Sequence, residues 1–199
     1  MSKTDGDSSK RQQKKALRWA LTIFLVTIGV SATISFVSGE VMDRSSMAVA
    51  FLILLFIVAV GIVFDIVGVA VTSADEKPFH SMASRRVSGA REAIRLLRNA
   101  EKVSSICNDV VGDICGVVSG AASATIAARA IMYLDFSWPQ LVSLGMSALV
   151  AGLTVGGKAI GKTVAMNSCT EIVFLVGQIL ATFDRWKNWP RKKITKKKG

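Results

Sequence analysis

Residues 48–74 read AVAFLILLFIVAVGIVFDIVGVAVTSA, with Asp65 as the only charged side chain. A helix needs about 20 predominantly apolar residues to cross the hydrocarbon core of a bilayer, and this stretch exceeds that length. Three further apolar stretches reach the same length, at residues 19–37, 103–132 and 141–165. The sequence therefore predicts an all-α membrane protein with four transmembrane helices and amphipathic helices beside the membrane.

The positive charges of the chain are distributed in alternation with these apolar stretches. Of the 25 Lys and Arg residues, most lie before residue 19, between residues 77 and 102, or after residue 184. Because loops on the cytoplasmic side carry an excess of Lys and Arg, this pattern predicts a multi-pass cell-membrane protein with both termini in the cytoplasm. The same alternation accounts for the net charge of +11 without a nucleic-acid partner.

The pattern divides the chain into four segments. Residues 1–15 are polar and are predicted to be disordered. Residues 16–38 form a retained transmembrane helix, since they are too long for the apolar part of a signal peptide. Residues 47–187 form the main transmembrane domain, and residues 188–199 form a basic cytoplasmic tail near the lipid headgroups. Within the main domain, residues 89–102 (GAREAIRLLRNAEK) and 169–187 predict helices that lie along the cytoplasmic side.

The acidic residues inside the apolar stretches are the best indication of function. An ionised carboxylate at bilayer depth costs about 3 kcal/mol or more, so such residues commonly line an ion pathway or pair with a cation. Asp109 and Asp113 are four residues apart and share a helical face, while Asp65 and Glu76 share a face of the preceding helix with Thr72. If these faces meet, they present oxygen ligands of the kind that Mg²⁺ prefers.

One nucleotide-binding pattern is present but lacks its structural context. Residues 156–163 (GGKAIGKT) match the phosphate-binding P-loop letter for letter. That loop requires a preceding strand and a soluble domain to hold the nucleotide, whereas these residues end a predicted transmembrane helix. We therefore expect no nucleotide partner. The sequence also has no pairing of a nucleophile with a base, so we do not expect an enzyme.

Three segments resemble the transmembrane domain of the cyclin M / CorB–CorC (CNNM) magnesium-transport family. Residues 157–165 (GKAIGKTVA) resemble its GE-x-x-PKTLA segment, residues 73–76 (SADE) its S-A-x-E-T, and residues 95–102 (RLLRNAEK) its R-L-L-x-N-P-D-R. Residues 108–113 (NDVVGD) keep the spacing of its G-N-x-x-x-N motif, with acids in place of amides. The resemblance covers about residues 47–187, and the chain is identified as a stand-alone member without the family's CBS modules.

The resemblance implies a divalent-cation transporter, with Mg²⁺ as the bound or transported ion and a homodimer as the assembly. Ser73, Asp109 and Asp113 are then the counterparts of the family's ion ligands. Asn108 is an additional ligand, and Asp65 and Glu76 complete the acidic set. The chain departs from the family where Lys158 replaces a glutamate and Gly161 replaces a proline.

Two lysines near the end of the fourth apolar stretch are consistent with a different function. Lys158 and Lys162 can neutralise the acids across the membrane domain. The chain would then be a non-transporting membrane scaffold or regulator derived from the same fold.

Overall fold

The computed structural model describes residues 3–134 and 138–195, and these residues form helices without any strand. The helices are α1 (Lys3–Arg44), α2 (Met47–Ser73), α3 (Lys77–Ser84), α4 (Ala90–Arg98), α5 (Ala100–Ser105), α6 (Asp113–Leu134), α7 (Pro139–Asn167) and α8 (Cys169–Thr195). A π-helical segment, Ile106–Gly112, joins α5 to α6. The all-α prediction is confirmed.

Within the described residues, four stretches of helix are long and apolar enough to cross a membrane: Leu17–Met42, Met47–Ser73, Ala100–Tyr133 and Pro139–Asn167. They coincide with the four apolar stretches of the sequence, and they identify the chain as an integral membrane protein. The apolar part of α8, Cys169–Phe183, is shorter than a span. Its shortness agrees with the predicted placement of this helix beside the membrane rather than across it.

The ends of several helices differ from the sequence-based expectation. Helix α1 begins at Lys3 and so includes most of the segment that its polar composition predicts to be disordered. Extending an existing helix costs far less than nucleating one, and the Lys, Arg and Gln residues before the apolar span are good helix formers. At the other end of the chain, α8 continues to Thr195, while residues 196–199 of the predicted tail lie outside the described residues.

The segment between the second and third spans contains two breaks. Pro78 lies in the first turn of α3, where its missing N–H would have no partner within the helix, so it starts a helix here. The predicted helix over residues 89–102 is interrupted at Asn99, whose φ of −116° separates α4 from α5. The Asn99 side chain donates a hydrogen bond to the carbonyl oxygen of Arg95 (2.9 Å) and so ends α4.

The chain divides into two compact units. One unit consists of Met1–Ile57 and Ile114–Val150. Its buried residues are mostly small or aliphatic: Met42, Ala50, Leu54, Ile114, Val118, Ser119, Ala122, Ser123, Ile126, Ala127 and Val150. The Ser119 and Ser123 hydroxyls donate to carbonyl oxygens of their own helix, so neither carries an unsatisfied polar group into the contact. Small buried residues let helix backbones approach closely within a bilayer.

The second unit consists of Val58–Asp113 and Ala151–Gly199 and contains every predicted site residue. Its core brings together residues of α2, α3, α4, α7 and α8: Ala70, Val71, Phe79, Ala93, Ala165 and Val173. Glycines allow the closest approaches. A Cβ on Gly157 or Gly161 of α7 would collide with Ile62 or Ile66 of α2, so α7 lies directly against α2. This contact positions the candidate site.

Candidate functional site

An ion pair joins two of the spanning helices in the second unit. The Lys158 Nζ on α7 lies 3.8 Å from Asp65 Oδ1 on α2, and these side chains are only 28% and 17% exposed. The close packing of α7 against α2 at Gly157 and Gly161 brings the lysine within reach of the carboxylate. The structure thus pairs one predicted acid with one of the two predicted charge partners.

The same ammonium group lies against the π-helical segment. Lys158 Nζ is 3.3 Å from the position that a Cβ would occupy on Gly112, the last residue of that segment. A side chain at this position would therefore press on the ammonium. The cation is held between a carboxylate of α2 and the backbone of the third span.

Asn108 occupies the interior of the π-helical segment and faces α2. Its Nδ2 donates to the Ser104 hydroxyl (3.2 Å), and its amide packs so tightly on Gly68 that a Cβ there would overlap the amide oxygen. That oxygen, Oδ1, is buried and has no hydrogen-bond partner among the described residues. Leaving a buried acceptor without a partner costs about 1–3 kcal/mol, so the amide oxygen is available to a donor or a cation.

The π-helix itself coincides with the motif that the sequence singled out. A π-helical turn inserts an extra residue into the hydrogen-bonding ladder, and such turns are frequent at functional sites. Here the turn spans the residues from Ile106 to Gly112 and buries Cys107, Val110 and Gly112. Asp109, which lies within it, and Asp113, which follows it, are exposed on the surface of this chain.

The remaining predicted ligands are not gathered around Lys158. Ser73 and Lys162 are exposed, and Glu76 lies beyond the end of α2. Among residues 3–134 and 138–195, no group of three or more His, Cys, Asp or Glu side chains has the arrangement that would hold a metal ion. The structure brings together Asp65 with Lys158 and Gly112, and separately Asn108 with Gly68.

Glu76 has cationic and polar partners of its own outside the membrane spans. Its Oε1 accepts a hydrogen bond from Arg98 Nε (2.8 Å) and lies 3.0 Å from His80 Nε2. The hydrogen bond from Arg98, supported by its charge and by His80, lowers the pKa of the Glu76 carboxyl below its ordinary value. Glu76 therefore ties the end of α2 to α3 and α4.

Sequence analysis did not assign Gly68 or Gly112 to the site. Each shares its span with other glycines, and each is distinguished by the side chain that contacts it: Asn108 lies against Gly68, and Lys158 lies against Gly112. Gly68 follows Asp65 by three residues, on the same helical face, and this spacing could have pointed to it.

Comparisons of the chain with protein families, with characterised proteins and with solved structures find no match.

Proposed function

We propose that this integral membrane protein binds and transports a divalent cation, Mg²⁺, at the polar site between α2 and the π-helical segment, and that Lys158 substitutes for the ion in the resting state. One observation carries the proposal: the Lys158 ammonium lies beside Asp65 and Gly112 within otherwise apolar spans. An ammonium in this position provides the positive charge that a bound cation would provide.

Two oxygen-bearing side chains at the contact between α2 and the third span support a hard cation as cargo. Asp65 offers a carboxylate, and the buried Asn108 Oδ1 offers an amide oxygen that has no hydrogen-bond partner in the described chain. Mg²⁺ commonly uses one or two carboxylates and keeps several waters, so it does not need a cluster of three acids. By the resemblance to the CNNM family, Ser73, Asp109 and Asp113 belong to the path of the ion.

The exposed acids also support the proposed homodimer. Asp109 and Asp113 lie within or beside the π-helical turn of a candidate span, where contact between a carboxylate and lipid tails is costly. A second copy that covers this surface, or water that enters between two copies, removes that cost. We further propose that both termini and the α3–α4 segment face the cytoplasm of the cell.

The same ion pair favours a second candidate function. If the pairing of Lys158 with Asp65 is permanent, the charges only hold α7 to α2, and the protein is a non-transporting membrane scaffold or regulator. The two candidates differ in one respect: only a transporter has a site that a metal ion enters when the lysine is removed.

Replacing the lysine by an apolar side chain distinguishes these functions. In Lys158→Met the Asp65 carboxylate loses its partner, and we expect a loss of about 3 kcal/mol in the free energy of unfolding without metal. If the site takes Mg²⁺, millimolar Mg²⁺ restores the melting temperature of Lys158→Met but hardly changes that of the wild type. Lys162→Met removes the same charge from an exposed position of the same helix and is the matched control.

Transport is measured with the purified chain in proteoliposomes that contain a Mg²⁺-sensitive dye. We expect Mg²⁺ entry with the wild type and with Lys162→Met, and a loss of entry with Asp65→Asn. If Mg²⁺ neither restores the melting temperature of Lys158→Met nor enters the vesicles, the transport proposal is refuted and the scaffold function is favoured.

A further inference from the structure

Two neighbouring depressions lie on the surface formed by α4, α8 and the turn before α4. The first has a volume of about 490 Å³ and is lined by residues that include Arg86, Ser88, Arg91 and Glu92. The second has a volume of about 260 Å³, shares Glu92 with the first, and adds Arg95 to a largely apolar lining. Its apolar residues are Leu96, Val103, Leu180 and Phe183. A polar basic depression therefore adjoins an apolar one.

Helices α4 and α8 pack tightly against each other beside the first depression. Gly89, at φ +92°, lies so close to α8 that a Cβ would be 2.7 Å from the backbone nitrogen of Gln178, and Gly177 lies equally close to the start of α4. Ala90, Ala93 and Val173 beside this contact are fully buried. The tight contact between α4 and α8 therefore borders the first depression, and Arg86, Val87 and Ser88 of the turn before α4 add to its lining.

The location of the depressions restricts the ligand. The α3–α4 segment follows the span that ends at Ser73 and precedes the span that starts at Ala100, while α8 follows the span that ends at Asn167. One end of each of these spans leads into this part of the chain, and Val103 of the third span lines the second depression, so we place the surface at the level of the lipid headgroups. Leu180 and Phe183 remain 40% and 62% exposed there, as residues that contact acyl chains would be.

From these observations, we infer that the surface binds one anionic glycerophospholipid. Its phosphate lies between Arg86 and Arg91, and an acyl chain lies along Leu96, Leu180 and Phe183. Arginine guanidinium groups bind phosphate oxygens in pairs of hydrogen bonds, and basic pockets beside transmembrane helices hold anionic headgroups. Glu92 between the depressions repels a second negative charge, which favours a headgroup with a single phosphate. The inference does not depend on cation transport.

The backbone conformation of Arg86 allows its side chain to be removed without strain. Arg86 has a φ of +59°, in the left-handed region that favours glycine. Arg86→Gly therefore removes the guanidinium and does not strain the turn, so its melting temperature without added lipid should not fall. Arg91→Gln is the second variant. Arg85→Gln removes the same charge from an exposed residue that lines neither depression, and it is the matched control.

The full chain is purified in a neutral detergent and incubated with phosphatidylglycerol or phosphatidylcholine of identical acyl chains. Retained lipid is counted by native mass spectrometry, and the melting temperature is followed in parallel. We expect the wild type and Arg85→Gln to retain one phosphatidylglycerol in preference to phosphatidylcholine. Each of Arg86→Gly and Arg91→Gln should reduce that preference about five-fold.

Three results would overturn the inference: equal retention of the two lipids by the wild type, an equal loss in Arg85→Gln and Arg86→Gly, or release of phosphatidylglycerol by millimolar inorganic phosphate. The second would mean unspecific attraction to positive charge, and the third would make free phosphate the ligand. Cation transport can fail while this preference persists, and the reverse also holds, so the two proposals are tested separately.

Discussion

At the scale of single residues, the contact between Gly68 and Asn108 holds the π-helical segment against α2. The Asn108 amide lies where a side chain on residue 68 would begin, so only glycine is accommodated there. Asn108 is also bound to Ser104, which limits how far it can move away. The pair therefore determines how the third span approaches the second.

Gly68→Ala should destabilise the protein by about 1–3 kcal/mol, because the added methyl group overlaps a buried amide that cannot retreat. Gly116→Ala is the control, since no atom lies within 4 Å of its Cβ position, and it should be neutral or slightly stabilising. Both effects are measured as the change in the free energy of unfolding in mixed detergent micelles. The double variant Gly68→Ala, Asn108→Ala should recover part of the loss, and a loss that stays unchanged would refute the steric explanation.

At the scale of helices, Glu76 connects the end of α2 to α3 and α4 through His80 and Arg98. The pKa of its carboxyl is lowered by these partners, chiefly by the hydrogen bond from Arg98. A group with a lowered pKa in the folded state stabilises the fold above its ordinary pKa of 4.5, and the contribution disappears as the pH falls through the lower, folded value. The link between the helices is thus complete at neutral pH and lost in acid.

We expect hydrogen exchange of the α3 and α4 amides, corrected for its intrinsic pH dependence, to accelerate as the pH falls below 4.5. Glu76→Gln should show the faster exchange already at neutral pH and should lose most of the pH dependence. Glu40→Gln removes a carboxylate that pairs with Arg44 within α1, and it should leave exchange in α3 and α4 unchanged. If exchange in Glu76→Gln still accelerates at low pH, a group other than Glu76 causes the pH dependence.

At the scale of the whole molecule, the packing of α4 on α8 restricts the topology. The contact requires the segment after the second span and the segment after the fourth span to lie on the same side of the membrane. Two further crossings, by the third and fourth spans, separate these segments and satisfy that requirement. We therefore expect the connection around Gln140 to lie on the opposite side of the membrane.

Single cysteines introduced into a chain without its three native ones test this arrangement. Ser81→Cys and Thr182→Cys, both at exposed positions, should react with a membrane-impermeant maleimide only in inside-out vesicles, and Gln140→Cys only in right-side-out vesicles. This result would also locate the α3–α4 segment in the cytoplasm. Reaction of Ser81→Cys and Thr182→Cys from different sides would contradict the fold.

Part of this architecture could be predicted because hydropathy is additive along the chain. A run such as residues 48–74 has to be a spanning helix, since backbone polar groups in lipid are satisfied only within a helix or a closed barrel. The four candidate spans followed from such reasoning. The helical extension of α1 to Lys3 did not, because composition alone does not register the low cost of helix propagation.

The contacts within the candidate site could not be predicted from the sequence, as Asp109 and Asp65 illustrate. Both are acids in apolar helices, yet Asp65 contacts Lys158, whereas Asp109 lies exposed on the chain surface within the π-helical turn. The extra residue in that turn changes which side chains face α2, and helical spacing calculated for an α-helix does not include it.

The sequence by itself determined that this protein is helical, crosses the membrane and places several charges within the spans, because burial in lipid is a property of each segment. Only the tertiary structure decided which charges meet. Lys158 pairs with Asp65, and Asn108 faces Gly68, because glycines at particular positions let backbones approach closely. Such contacts depend on the shapes of two helices at once, and neither helix contains that information alone.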